Sequence, residues 1–252
     1  RATATLADSD LERVTGMASK FWEYSVPNET FEAGDRHKVA IVFERINRAG
    51  TELNVFELLS AWSWSEDFDL VESFHELQEE IASHGYEDLV SDKDLQLRVC
   101  AGVISGETTP AAIMGLDGED IRSRFSEVRN GLLGAIDFLR NQLGVMHFNL
   151  LPFPGIIVPL ACFFATPKVE GERFTDKQRR VLERWFWRSV FNRRFSSGVN
   201  ERQAHDIIEM NALRENESYD FKLPRSEVKV DFFAGNFSAS NANSKALILL
   251  LN

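Results

Sequence analysis

Residues 121–144 read IRSRFSEVRNGLLGAIDFLRNQLG. Ile121, Phe125, Val128, Leu132, Ile136, Leu139 and Leu143 recur in this stretch at steps of three and four, the period that lines one face of an α-helix. Gly144 stands where a helix commonly ends in a left-handed residue. The pattern predicts the longest helix of the chain, and the flanking sequence has the same character. Upstream, Asp67 to Ser83 carries Phe68, Val71, Phe74, Leu77 and Ile81 on one face and stops before Gly85. Ser91 is placed to cap a helix running through Ser105, and Pro110 to sit in the first turn of a short one. Downstream, the apolar run after Gly155 predicts a buried helix. Thr175 with Gln178, and Asn200 with Gln203, have capping-box spacing before two more helices. Period-2 alternation is rare, and SEVKVDFF around residue 230 is the one candidate strand. The expected fold is mainly α, a multi-helix globular domain with at most a small strand element.

Composition sets the outer limits. A chain of 252 residues with 44% hydrophobic content is long enough to bury a sizeable core. Cys100 and Cys162 lie far apart in apolar runs, which suggests neither a disulfide framework nor a zinc site and fits a reducing cytoplasm. LLPFPGIIVPLACFFA, residues 150–165, is the most lipid-like stretch, but Pro152, Pro154 and Pro159 interrupt it and it is too short to span a bilayer, so no membrane partner is expected. His37, His75, His84, His147 and His205 never pair at ligand spacing with another His or Cys, so no metal site is expected. Acidic pairs such as Glu79 with Glu80 fit a solvated helix face better than acid–base work, and no catalytic residue is assigned.

Two stretches carry candidate binding chemistry. The first is FERINRAGTEL, residues 43–53. Val39, Val42, Phe43 and Ile46 predict a helix before it, while Asn54 with Glu57 and the apolar set Val55, Phe56, Leu58, Leu59 and Trp62 predict a helix after it. The connecting loop with Arg45, Asn47, Gly50 and Thr51 has two readings: an ordinary capped helix connection, or an anion site in which main-chain N–H groups, the Asn47 amide and Arg45 hold a phosphate.

The second is residues 173–202, where nine Arg or Lys stand against three acids in a chain whose net charge is −11. On a helix starting at Thr175, the spacing puts Lys177, Arg180, Arg184 and Arg188 on one stripe, flanked by Trp187 and Phe191, with Trp185 and Phe186 on the core face. Such a stripe can track the phosphates of DNA, or it can be a solvated face whose cations pair with the domain's own acids.

The run VFERINRAGTELNVFELLSAW resembles the second signature of the N-terminal domain of GmrSD-type modification-dependent restriction endonucleases, a branch of the ParB/sulfiredoxin-like superfamily. That signature is Phe, three residues, Asn, five residues, Leu, met here by Phe43, Asn47 and Leu53. SDKDLQLRVCAGVISG, GLLGAIDFLRNQLGV, LLPFPGIIVPLACFF, RWFWRSVFNRRFSSGVNERQAHDI and NSKALILLLN resemble the helical part of those proteins in the same order. The resemblance implies a nucleotide-dependent DNA restriction factor in antiviral defence, with a nucleoside triphosphate and magnesium as cofactors of the larger protein and Asn47 and its loop completing that site. It also implies flanking nuclease or nucleotide-hydrolysing modules as partners. The Asp-Gly-Gln-Gln-Arg segment to which nucleotide hydrolysis is attributed in that family is absent from the sequence, as is a His-Asn-His nuclease module. The expectation is therefore a single mostly helical domain over residues 1–252, an internal fragment of a larger restriction or defence protein and inactive alone. The alternative is a non-catalytic DNA- or protein-interaction or scaffold domain.

Overall fold

The structure is a computed structural model that describes residues 8–23, 55–166, 174–223 and 237–251. It is mainly α. The chain divides into a unit of residues 1–39 and a unit of residues 40–252. In the first, α1 (Asp8–Trp22) is a single helix. The second contains α2 (Val55–Ser63), α3 (Leu70–Ala82), α4 (Asp88–Ser91), α5 (Lys93–Ser105), α6 (Pro110–Met114), α7 (Gly118–Leu143), α8 (Ile157–Phe164), α9 (Asp176–Phe191), α10 (Val199–Glu215) and α11 (Ala242–Leu251), with short 3-10 turns at Phe148–Leu150, Pro154–Ile156 and Arg194–Ser196.

The long helix forms as its period requires. Asp117 caps its start through the Glu119 N–H at 2.8 Å, and Gly144 closes it at φ 67°. All seven apolar residues of the predicted face are buried. Ala135 and Phe138 are buried as well, because α7 is covered on more than one side: α2, α3 and α5 pack on it, and so does α8. Helix α8 is apolar all round, Ile157 to Phe163 being buried, and it lies among α5, α7 and α10 as such a helix must. Gly131 and Gly134 permit the close approach of α7 and α8. A Cβ on Gly131 would lie 2.4 Å from the Ala161 carbonyl oxygen, and one on Gly134 2.6 Å from the Phe164 Cβ.

Arginines close two helix ends. Arg214 donates to the Cys162 and Ala165 carbonyls at 2.7 and 3.0 Å, satisfying the C-terminus of α8. Arg124 does the same for α5, donating to Ile104 at 2.6 Å and Val103 at 3.1 Å while Glu127 holds its other edge.

Three helix starts differ from the spacing-based expectation. Helix α3 begins at Leu70, not Asp67, because Ser65 and Phe68 exchange main-chain hydrogen bonds and hold the preceding residues in a tight turn; Asp69 is the cap. Phe68 then packs edge-on against Phe125, while Val71 is exposed and Leu70 takes the core position. Asp92, not Ser91, caps α5, its carboxylate accepting from the Leu95 N–H at 3.0 Å; Ser91 is the last residue of α4. At α10 the capping box does not form, since Gly198 at φ 56° precedes the helix and Gln203 reaches away to the Gly155 carbonyl at 2.9 Å. Among the described residues the only β pairing is the isolated Ser65–Phe68 bridge. The candidate strand around residue 230 lies outside them, as do the helix before residue 46 and the Asn54 cap.

Candidate nucleic-acid interface

Helix α9 begins where the capping box places it. The Gln178 N–H donates to the Thr175 hydroxyl at 3.3 Å, and the Thr175 N–H donates to the Gln178 side-chain oxygen at 2.8 Å. The same Gln178 side chain donates from its amide nitrogen to the Leu213 carbonyl at 2.8 Å, tying the start of α9 to the end of α10. Trp185 and Phe186 are buried, as the core face requires. Trp187 and Phe191 stack one turn apart, 5.7 Å between ring centres, and both rest partly buried against the core.

That register leaves the basic stripe on the outer face, and its members differ in what they meet. Lys177 is 3.3 Å from the Glu217 carboxylate. Hydrogen bonds from Thr175 and Lys177 hold the Glu217 carboxyl below its ordinary range. Arg188 is half-buried and engaged. Arg180 and Arg184 are exposed, and among the described residues no carboxylate pairs with either. The Arg184 Nε donates to the Arg180 main-chain carbonyl at 3.1 Å, which lays that side chain back along the helix. Neighbouring Arg179 is clamped between Glu183 at 2.7 Å and Asp176 at 3.3 Å.

The loop residues Arg45, Asn47, Gly50 and Thr51 lie outside the described residues. Among those described, no group of three His, Cys, Asp or Glu side chains is placed to hold a metal, and no helix is long and apolar enough to cross a membrane.

A buried polar seam on α10 escapes sequence reading. Gln203, Asp206 and Glu209 follow one another at steps of three and are exposed by 0%, 1% and 4%. Asp206 accepts from Arg194 through both oxygens at 2.7 and 2.8 Å, from the Trp185 indole N–H at 3.0 Å, and meets His205 Nδ1 at 3.2 Å. Glu209 accepts from the Lys222 N–H at 2.7 Å and the Tyr219 hydroxyl at 3.3 Å. Each polar side chain thus ties a different segment to α10: the turn before α8, the turn after α9, and the chain after Asn216. Arg194 and Trp185 together occupy both oxygens of the Asp206 carboxylate, which holds it as a structural anchor of the seam. The sequence signal was the three-residue spacing of Gln, Asp and Glu in a helix that also carries Ile207, Met210 and Leu213.

The chain aligns over 260 positions with an uncharacterized protein of Methanocaldococcus jannaschii at 22% identity, covering 92% of this chain and 41% of that relative. The chain therefore spans less than half the length of the relative it matches. No family model matches it, and no solved structure matches it.

Proposed function

We propose that this chain is the helical portion of a nucleotide-dependent, modification-dependent DNA restriction factor of cytoplasmic antiviral defence, with α9 facing the DNA backbone. The observation that carries this reading is the contrast along α9: Arg179 and Lys177 are held by the domain's own acids, while Arg180 and Arg184 are exposed and pair with no acid among the described residues. Cations with no acid partner among the described residues, on a chain of net charge −11, point to an anionic partner that binds locally. The signature-like run from Phe43 to Leu53 supports the nucleotide part of the reading, with Arg45, Asn47, Gly50 and Thr51 next to a triphosphate and magnesium in the larger protein. A relative in which the matched stretch makes up 41% of the length fits a module among nuclease or nucleotide-hydrolysing neighbours.

The test is duplex binding followed by fluorescence anisotropy across a salt series. Arg180→Gln with Arg184→Gln weakens binding equally for all duplex sequences, since phosphate contacts carry no base readout. Unchanged affinity and salt slope in that variant remove the DNA assignment.

A second reading, a non-catalytic interaction or scaffold domain, is favoured by the pairing of Lys177 with Glu217, Arg179 with Glu183 and Arg194 with Asp206, which spends part of the basic run on holding the fold. Under it Arg180→Gln with Arg184→Gln leaves DNA binding as it was, while Lys177→Gln and Arg179→Gln, which break ion pairs, lose thermal stability.

A further inference from the structure

A cleft of about 510 Å³ opens between α2, α5, α6 and the first turn of α10. That size lies within the range of small-ligand sites, roughly 300–1,000 Å³. Leu97, Ile113 and Met114 give it an apolar side. Arg98 lines it from α5, half-buried, and among the described residues it has no hydrogen-bonded or ionic partner. Asp94, one turn earlier on the same helix, also lines the cleft without pairing with Arg98. The other cation in reach, Lys93, is 3.7 Å from Glu57 and sits over the Phe56 ring at 5.5 Å, so it is already engaged.

The far wall is fixed. Thr108, fully buried, donates its hydroxyl to the Asn200 carbonyl at 3.2 Å, which holds the residues before α6 against the start of α10. Asn200, half-buried, lines the same cleft, and among the described residues its side-chain amide has no partner. A guanidinium drawn partly out of water beside apolar carbon loses hydration without recovering it from a carboxylate, and an anion delivered into the cleft restores the charge-assisted bonds.

We propose that this cleft binds a small organic anion, a carboxylate or phosphate carried on an apolar body. Arg98 receives the anion, the Asn200 amide adds a hydrogen bond, and Leu97, Ile113 and Met114 cover the body. The site is separate from the α9 stripe, and it stands whether or not α9 meets DNA.

The test uses anilinonaphthalene sulfonate, an aromatic body with one anionic group, titrated by fluorescence against the full chain. One saturable site is expected. Arg98→Gln weakens it by at least about tenfold, the loss of a charge-assisted hydrogen bond, with the melting temperature retained. Met114→Trp fills the cleft while keeping Arg98 and also blocks the probe. Displacement by decanoate identifies a carboxylate ligand, and displacement by adenosine monophosphate a phosphate one. Binding at several sites, unchanged affinity in Arg98→Gln, retained binding in Met114→Trp, or displacement by neither competitor overturns the assignment.

Discussion

Arg194 and Asp206 meet edge to edge, Nε to Oδ2 at 2.8 Å and Nη2 to Oδ1 at 2.7 Å, at a carboxylate only 1% exposed. The contact fixes the turn after α9 against α10, and Trp185 from α9 shares the same carboxylate at 3.0 Å. Two consecutive stretches of the basic run thus have opposite fates. Arg180 and Arg184 face solvent, whereas Arg194 is part of the interior scaffold.

Replacing Asp206 by Asn leaves the Arg194 charge without its partner and sets an amide against two donors. Breaking a buried pair from one side costs about 3–5 kcal/mol. Urea unfolding of Asp206→Asn is expected to show that loss. A double-mutant cycle with Arg194→Met should return a coupling of well over 1 kcal/mol if the bidentate contact is responsible. Additive effects would mean that Trp185 and His205 hold the carboxylate unaided.

Gly131→Ala tests the contact between α7 and α8. In a helix interior the substitution normally stabilises by about 1 kcal/mol. Here the added methyl would meet the Ala161 carbonyl oxygen at 2.4 Å, main chain that moves only with α8 itself. Overpacking costs about 1–3 kcal/mol, so the net effect is expected to be destabilising. Gly16→Ala in α1, where nothing lies within 4 Å, is the control and should raise stability or helix content. A stabilising Gly131→Ala would show that the two helices are farther apart than described.

Removing the α9 cap has a smaller expected cost. Thr175→Ala loses the hydroxyl that accepts from Gln178 N–H, about 0.5–2 kcal/mol. Thermal melting should register it. The loss should exceed that of Asn200→Ala measured alongside, because Asn200 does not cap α10 through its side chain.

The thiols give a pH dependence. Burial pushes both Cys100 and Cys162 up to about 12. Their unfolded thiols ionise near about 8.5, so the folded state holds protons that the unfolded state releases. The associated stability is whole below that pH and is lost as pH rises toward 12, by about 1.4 kcal/mol per pH unit per thiol. Urea unfolding at pH 8 and pH 10 should show a steeper loss in the natural chain than in Cys100→Ala with Cys162→Ala. Parallel losses would mean that other groups account for the alkaline limit.

The α9 stripe makes a graded prediction. Each phosphate contact adds about 0.9 to the slope of log affinity against log salt. Arg180→Gln with Arg184→Gln should therefore lower that slope by up to about 1.8, from two contacts. Lys177→Gln, whose ammonium already faces Glu217, should lower it by less. An equal effect from Lys177→Gln would show that the Glu217 contact gives way when DNA binds.

The main core helices were legible from their residues alone. The three-and-four period of α7, the apolar run that became α8, and the Thr175–Gln178 box are local patterns, and a helix closes its own hydrogen bonds within a few residues, so their reading held. It also placed Trp185 and Phe186 inside and Arg180 and Arg184 on an outer stripe, because the register follows once the cap is fixed. What depends on remote partners came only with packing. Asp69 and Asp92 displaced Asp67 and Ser91 as starting points once the surrounding turns were packed, and Gln203 served Gly155, 48 positions away, instead of capping its own helix. Likewise Arg194 joined the interior only because Asp206 arrives from α10, and Lys177 meets Glu217 from the chain beyond that helix, whereas among the described residues Arg98 pairs with no acid, Asp94 included. Local periodicity fixes which face a side chain occupies, but the free energy of a polar group depends on its partner, and for Lys177, Arg194 and Gln203 that partner lies outside the local pattern that sets their register.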